Sequence, residues 1–141
     1  MRNAMRFEDV KPGQALPELI VPITASAIVA GAIATNDFEN VHHDKAAAQS
    51  KGVPDIFMNI LTTNGFVQRF VNDWTGPSVR IRKIAIRLGA PNFVGDTMKL
   101  TGEVTEVDAA ARLARVKVSG RNSIGEHVAA TVTIGFSENG R

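Results

Sequence analysis

An aspartate and a histidine, Asp37 and His42, lie five positions apart, directly after an apolar segment of helical character. A carboxylate and an imidazole that converge can hold one water molecule between them. One group can then remove a proton from that water while the other manages a second proton. Two such acid–base groups are the minimum that an enzyme needs to add water to an activated double bond, or to catalyse the reverse loss of water. We therefore predict that Asp37 and His42 are catalytic residues.

Two further ionisable residues adjoin the pair, and the sequence favours other roles for them. Neighbouring side chains in an extended loop point apart, so His43 is not expected to serve the same water molecule as His42. Asp44 precedes a short run of helix-forming residues and is predicted to be its N-cap. The four side chains could in principle bind a metal ion, but adjacent histidines chelate poorly. No metal site is predicted.

Size and composition exclude several classes of protein. The 141 residues are enough for one domain with a core and too few for two ordinary ones, so residues 1–141 are predicted to form a single domain. The absence of cysteine excludes disulfides, thiolate nucleophiles and cysteine-based zinc sites. A net charge of +2 is too small to indicate nucleic-acid binding.

A stretch without charge, residues 19–36, raises the question of a membrane span. It contains Pro22 and Gly31 and is rich in alanine, so a short strand followed by a helix fits it better than one continuous span. We expect a cytoplasmic protein that has no membrane partner.

The elements that would position the pair follow from the hydrophobic pattern. A strand is predicted at 16–23, a helix at 25–34 with Thr24 as its N-cap, and a short helix at 45–50. Asp55 is predicted to cap a long helix at 56–74, which Gly76 and Pro77 would end. Four strands follow, at 78–88 with a bulge near Lys83, then at 97–107, 113–118 and 128–136. This order predicts an α+β fold in which an antiparallel sheet wraps around one long central helix.

That order of elements, together with the Asp–His loop, resembles the hot-dog fold, and specifically the MaoC-like or (R)-specific enoyl-CoA hydratase family. The family motif reads Gly/Asn-Asp-x-Asn-Pro-x-His-x-Asp, and Asp37, His42 and Asp44 occupy its Asp, His and final Asp. A second family signature, Arg-Phe-x-x-Pro-Val-x-x-Gly-Asp-Thr, corresponds to residues 87–97, which read RLGAPNFVGDT. The two motifs flank the long helix.

The chain departs from the family pattern at two places. Glu39 and Asn40 replace the Asn-Pro pair, which makes the loop less rigid. Where the family has His-Gly-Met, whose glycine N–H binds the thioester oxygen, this chain has Met58-Asn59-Ile60. A backbone N–H at a helix N-terminus is a free donor, and the helix dipole there favours an oxyanion. The resemblance therefore implies that Asn59 is the oxyanion or substrate-binding residue.

A closer resemblance is to the small MaoC-like subunit of the heteromeric enoyl-CoA hydratase of bacterial steroid side-chain degradation. It is carried by the runs 37–44, 55–62, 67–70 and 73–78. The likeness implies a 2-enoyl-CoA thioester with a bulky steroid-type acyl group as substrate. It also implies a homodimer, or a heteromer with a diverged MaoC-like subunit. No cofactor is implied beyond the coenzyme A of the substrate.

Two other functions stay open. A hot-dog acyl-CoA thioesterase would use a carboxylate to activate water against the carbonyl carbon, and it would not need the histidine. A non-catalytic subunit could complete the substrate tunnel of a partner, an interpretation that the altered Glu39-Asn40 pair keeps open. The retention of both Asp37 and His42 favours the hydratase, because a scaffold has no use for the pair.

Overall fold

One antiparallel sheet of five strands, in the order β1-β3-β4-β5-β2, underlies the structure, a computed structural model that describes residues 5–137. In chain order the elements are β1 (Leu19–Pro22), α1 (Ala25–Ala34), α2 (Lys45–Ser50), α3 (Ile60–Thr75), β2 (Arg80–Leu88), β3 (Thr97–Asp108), β4 (Leu113–Arg121) and β5 (Glu126–Gly135). Each strand pairs antiparallel with its neighbours, so β1 and β2 form the two edges. The predicted order of elements is confirmed.

The long helix α3 packs on one face of the sheet. Its residues Val67, Phe70 and Val71 are at most 2% exposed and belong to the same hydrophobic cluster as the inward-facing residues of β3, β4 and β5. Gly102 on β3 allows this close approach, because a Cβ atom there would lie 2.8 Å from the Phe70 ring. Alternation of buried and exposed residues along β3 and β4 gives the sheet one apolar face. The predicted wrap of a sheet around one long helix is confirmed.

The predicted start of the long helix at residue 56 is wrong. The helix begins at Ile60, and its N-cap is Asn59, whose Oδ1 accepts the N–H of Thr62 at 2.9 Å. Residues 56–58 are not helical: the N–H of Met58 donates to a carbonyl of the β2–β3 loop. Asp55, the predicted cap, instead accepts the N–H of its own neighbour in the chain.

The other helix ends agree with the sequence. Thr24 accepts an N–H of the first turn of α1 at 3.0 Å, and Asp44 does the same for α2 at 3.1 Å. Gly76 ends α3 with a φ of 75°, a conformation that glycine adopts readily. The bulge predicted near Lys83 is confirmed by a register shift between β2 and β5. No helix in the part of the chain described is long and apolar enough to cross a bilayer.

A buried histidine, His127 on β5, ties the sheet to the long helix. Its Nδ1 lies 2.6 Å from the carbonyl oxygen of Ala90, and its Nε2 lies 2.8 Å from Oγ1 of Thr63 on α3. Because a carbonyl can only accept, Nδ1 carries the hydrogen and Nε2 accepts the Thr63 hydroxyl. The neutral ring therefore has both nitrogens satisfied, and burial lowers the pKa of His127 below its usual range.

The protein is expected to lose stability as the pH falls below about 6.5, the ordinary pKa of histidine. Because the folded pKa of His127 is lowered, the unfolded chain takes up a proton first. The stabilisation is therefore complete above the unfolded pKa and is lost as the pH falls through the folded pKa. Thermal unfolding between pH 5 and pH 8 should show this slope, and His127→Gln should flatten it. His43→Gln, at an exposed histidine, is the matched control; equal slopes in wild type and His127→Gln would contradict the expectation.

Candidate active site

Asp37 is placed by the way in which α1 ends. The N–H groups of Asn36 and Asp37 donate to the carbonyl oxygens of Ile33 and Ala32 at 3.0 and 2.9 Å, and Asn36 has a φ of 57°. This is the hydrogen-bond pattern of a Schellman C-cap, with Asn36 at the left-handed position that glycine usually occupies. Asparagine tolerates that conformation better than most residues. The tight turn sets Asp37 immediately beyond the helix.

His42 lies in a 3-10 turn, Asn40–His42, and is 7% exposed. Its Nδ1 lies 2.7 Å from the carbonyl oxygen of Phe57, and the two rings meet edge to face with centroids 5.1 Å apart. The carbonyl can only accept, so Nδ1 carries the hydrogen. In the neutral ring, Nε2 is therefore the unprotonated nitrogen.

The structure brings Asp37 and His42 together. His42 Nε2 lies 3.4 Å from Asp37 Oδ2, and the two side chains are 9% and 26% exposed. A hydrogen bond from Asn59 and another from the N–H of Glu39 lower the pKa of Asp37, so its carboxyl is ionised at neutral pH. A carboxylate oxygen and an unprotonated imidazole nitrogen thus stand side by side. Each can accept a proton from a water molecule that contacts both groups.

Asn59 also reaches this site, and it does so through its side chain as well as its backbone. It is 3% exposed, and its Nδ2 donates to Asp37 Oδ2 and to Thr35 Oγ1, each at 2.9 Å. Its backbone N–H has no hydrogen-bond acceptor among residues 5–137. The sequence indicated this backbone N–H. It did not indicate that the side chain of Asn59 contacts Asp37 and Thr35. The signal in the sequence for this contact was Thr35, a hydroxyl-bearing residue at the end of α1, directly before Asn36.

The two ionisable residues next to His42 in the chain have the other roles that the sequence predicted for them. His43 is exposed, and Asp44 is the N-cap of α2. Within residues 5–137 there is no group of three or more histidine, aspartate or glutamate side chains that could hold a metal ion. The expectation that the site uses no metal stays a prediction.

Four exposed apolar side chains lie near Asp37 or Asn59 in the chain, and we call them the apolar rim: Ile33, Phe38, Ile60 and Leu61. They are 62%, 64%, 50% and 50% exposed. Phe38 directly follows Asp37 and Ile60 directly follows Asn59, and the Asp37 and Asn59 side chains are hydrogen-bonded. Large apolar side chains grouped on a surface are typical of a binding site for a ligand or a partner.

Comparison with known proteins identifies the family to which the chain belongs. The family of MaoC-like domains matches residues 8–127, and the chain belongs to that family. The resemblance to MaoC-like proteins seen in the sequence is thus confirmed.

Particular relatives are also similar to the chain. The beta subunit of the 3-oxo-4,17-pregnadiene-20-carboxyl-CoA hydratase of Mycobacterium tuberculosis is 48% identical over 126 residues, which are 89% of this chain and 96% of the relative. The crystal structure of the ChsH1-ChsH2 complex from the same organism contains a chain with a TM-score of 0.87 and 48% identity, covering 90% of this chain and 98% of that one. The R-hydratase PhaJ1 of Pseudomonas aeruginosa has a TM-score of 0.85 at 20% identity, covering 94% of this chain and 86% of that one, and shows the shared fold alone. The hot-dog fold predicted from the sequence is confirmed.

Proposed function

We propose that the protein adds water to a 2-enoyl-CoA thioester that carries a bulky steroid-type acyl group, or catalyses the reverse dehydration. The observation that carries this proposal is the 3.4 Å approach of His42 Nε2 to Asp37 Oδ2, with the hydrogen of the ring held at Nδ1 by the Phe57 carbonyl. Membership of the MaoC-like family and the 48% identity to a subunit of a pregnadiene-carboxyl-CoA hydratase support the reaction and the type of acyl group.

The chemistry divides among three groups. The thioester carbonyl makes the β-carbon electrophilic, and Asp37 and His42 take a proton from the attacking water. As the C–O bond forms at the β-carbon, the electrons of the double bond move toward the thioester oxygen, where the backbone N–H of Asn59 stabilises the negative charge. The electrons then return to the α-carbon, which takes a proton from the protonated member of the pair. The balance is one water molecule added, and no electron acceptor is needed.

The two alternatives fit the site less well. A thioesterase would not need an imidazole with a free Nε2 beside the carboxylate, whereas a hydratase uses it to accept the proton of water. A non-catalytic subunit would not need an ionised Asp37 with three groups directed at it. Release of coenzyme A in the experiment below would identify the thioesterase, whereas a non-catalytic subunit predicts that the complex keeps its hydration activity when Asp37 is replaced.

The apolar rim supports the proposal of a partner. The rim consists of four large apolar side chains that are each at least half exposed beside a polar site. These side chains lose contact with water when a second chain or an acyl group covers them, which is favourable. The edge strand β2 also has one side without a pairing strand in the described chain. We propose a heteromer with a diverged MaoC-like subunit, with the homodimer as the alternative; the similar chain seen in the ChsH1-ChsH2 complex supports the heteromer.

Further features of the proposal follow from the same interpretation. Residues 1–141 form a single MaoC-like domain that works in the cytoplasm, and the reaction uses no cofactor beyond the coenzyme A of its substrate. Nucleic acid and membranes are not among its partners.

The proposal is tested by incubating the protein with 3-oxo-4,17-pregnadiene-20-carboxyl-CoA and, in parallel, with crotonyl-CoA. The protein is used alone and in the complex that it forms with its MaoC-like partner. We expect loss of the enoyl-thioester absorbance, a product heavier by one water, and a preference for the steroid substrate. Release of free coenzyme A thiol would indicate the thioesterase instead. No turnover by the complex with either substrate would contradict the hydratase.

A further inference from the structure

We propose that the carboxamide of Asn59 is a positioning group for Asp37: its Nδ2–H holds the carboxylate in one orientation beside His42, as a base ready to accept a proton. The proposal deepens the hydratase function proposed above, and it concerns the side chain of Asn59, whereas the role in charge stabilisation belongs to the backbone N–H. The general MaoC-like pattern has a glycine at this position, which has no side chain to make such a contact.

The hydrogen-bond partners of Asn59 fix the orientation of its side-chain amide. The hydroxyl of Thr35 donates to the carbonyl oxygen of Gly31 at 2.8 Å, so its oxygen is free to accept from Asn59 Nδ2 at 2.9 Å. The N–H of Thr62 requires an acceptor and finds it in Asn59 Oδ1 at 2.9 Å. These two neighbours fix which end of the amide is NH2. The second hydrogen of Nδ2 therefore has to point at Asp37 Oδ2, 2.9 Å away.

Among residues 5–137, Asp37 forms no ion pair with a lysine or an arginine. Helix α1 carries no charged residue, and neither does the first turn of α3. Glu39, two positions further along, is paired with Lys51 at 3.5 Å. Within residues 5–137, His42 is the titratable side chain that contacts the carboxylate. The hydrogen bond from Asn59 is the largest cause of the lowered pKa of Asp37, ahead of the N–H of Glu39.

Asn59 has a second role as the N-cap of α3, and the two roles can be separated by substitution. Serine and aspartate are as good at an N-cap as asparagine, because each offers an oxygen to the N–H two or three residues further on. Neither offers an N–H to Asp37. Asn59→Ser replaces the amide donor by a hydroxyl on a side chain that is one atom shorter. Asn59→Asp removes the donor and places a second carboxylate against Asp37, which favours the protonated form. Thr24→Ala removes the N-cap of α1 and controls for the loss of a cap as such.

The experiment measures Asp37 in two independent ways in wild type, Asn59→Ser, Asn59→Asp and Thr24→Ala. The first is the pH dependence of kcat/KM for hydration by the complex, whose acid limb reports the Asp37–His42 pair in the free enzyme. The second is a carbon NMR titration of the Asp37 carboxyl in the isolated chain, assigned with Asp37→Asn, which needs no activity. We expect both midpoints to move to higher pH in Asn59→Ser, further in Asn59→Asp, and not in Thr24→Ala. At neutral pH, kcat should fall about 10- to 100-fold through misplacement of the base.

The outcomes separate the two proposals. An Asp37 titration midpoint that is unchanged in folded Asn59→Ser and Asn59→Asp overturns the positioning role, whether or not hydration is observed. A midpoint that moves in a protein that hydrates no enoyl-CoA supports the positioning role and overturns the hydratase. Because both variants keep a cap oxygen for Thr62, circular dichroism is expected to show a native helix content, and either variant alone suffices for the titration.

Discussion

Asp37→Asn is expected to lower kcat for hydration by about 10²–10⁴-fold, the usual contribution of an acid–base group. The substitution keeps the size of the side chain and its oxygen toward Asn59, but the amide cannot take a proton from water. The Schellman turn that positions residue 37 is made by backbone groups, so the fold should be retained. Steady-state kinetics of the complex, with thermal unfolding of the same preparations, measure both effects.

His42→Gln should cause a loss of similar size, and the double variant should be little worse than either single one, because groups that act as a unit are not additive. His43→Gln is the matched control, since His43 is the exposed neighbour and is expected to keep wild-type activity. Full activity in His42→Gln together with an inactive Asp37→Asn would contradict the pair. That result would assign the proton transfer in hydration to the carboxylate alone.

Gly31→Ala is expected to damage stability and activity together, because the two helices that carry the site cross at this glycine. A Cβ atom on Gly31 would lie 2.7 Å from Cγ2 and 3.0 Å from Cβ of Thr62, and closer still to its Oγ1. Overpacking of this kind costs about 1–3 kcal/mol, whereas alanine in place of glycine in a helix gains about 0.8–1.0 kcal/mol. With Thr62 Cβ itself in the way, we expect a net loss of about 1 kcal/mol and a Tm lower by about 3–5 °C.

The effect of Gly31→Ala on activity follows from the positions of the catalytic groups. Asp37 follows α1 and Asn59 precedes α3, so moving the helices apart by about 1 Å should cost kcat about 10²-fold. Gly65→Ala is the matched control, because a Cβ atom on Gly65 meets no atom within 4 Å and should slightly stabilise α3. Thr62→Ala should restore part of both losses in the double variant. A Gly31→Ala protein with a higher Tm and full activity would show that the helices do not need this contact.

Local patterns in the sequence predicted much of this molecule. The N-caps Thr24 and Asp44, the helix-ending Gly76 and the bulge near Lys83 all depend on chemistry within a few residues, and all are confirmed. The start of the long helix was missed because the contiguous apolar residues 56–58 have the composition of a buried first turn. They are extended instead because they hydrogen-bond to the loop between β2 and β3, a partner that local sequence does not indicate.

In the candidate site, too, the local sequence predicted some features, whereas others depend on residues far away in the chain. The spacing of Asp37 and His42 indicated the pair, since a tight turn and a short loop can bring residues so near in the chain together. The orientation of each group could not be predicted, because it depends on distant atoms. The Phe57 carbonyl fixes the tautomer of His42, and the Asn59 amide, 22 positions away, binds Asp37. Both contacts exist only after α3 has docked against α1.

The strand order has a consequence for how the protein is made. Strand β2 is synthesised directly after the long helix, yet its hydrogen-bonding neighbour is β5, and Arg80 pairs with Gly135. A nascent chain must therefore keep β2 without its partner β5 until residues 126–135 have left the ribosome. Long-range pairings of this kind fold slowly and expose unpaired strand edges meanwhile. The residues proposed for catalysis all precede β2, so they emerge early, and the sheet that supports them is completed only by the last strand.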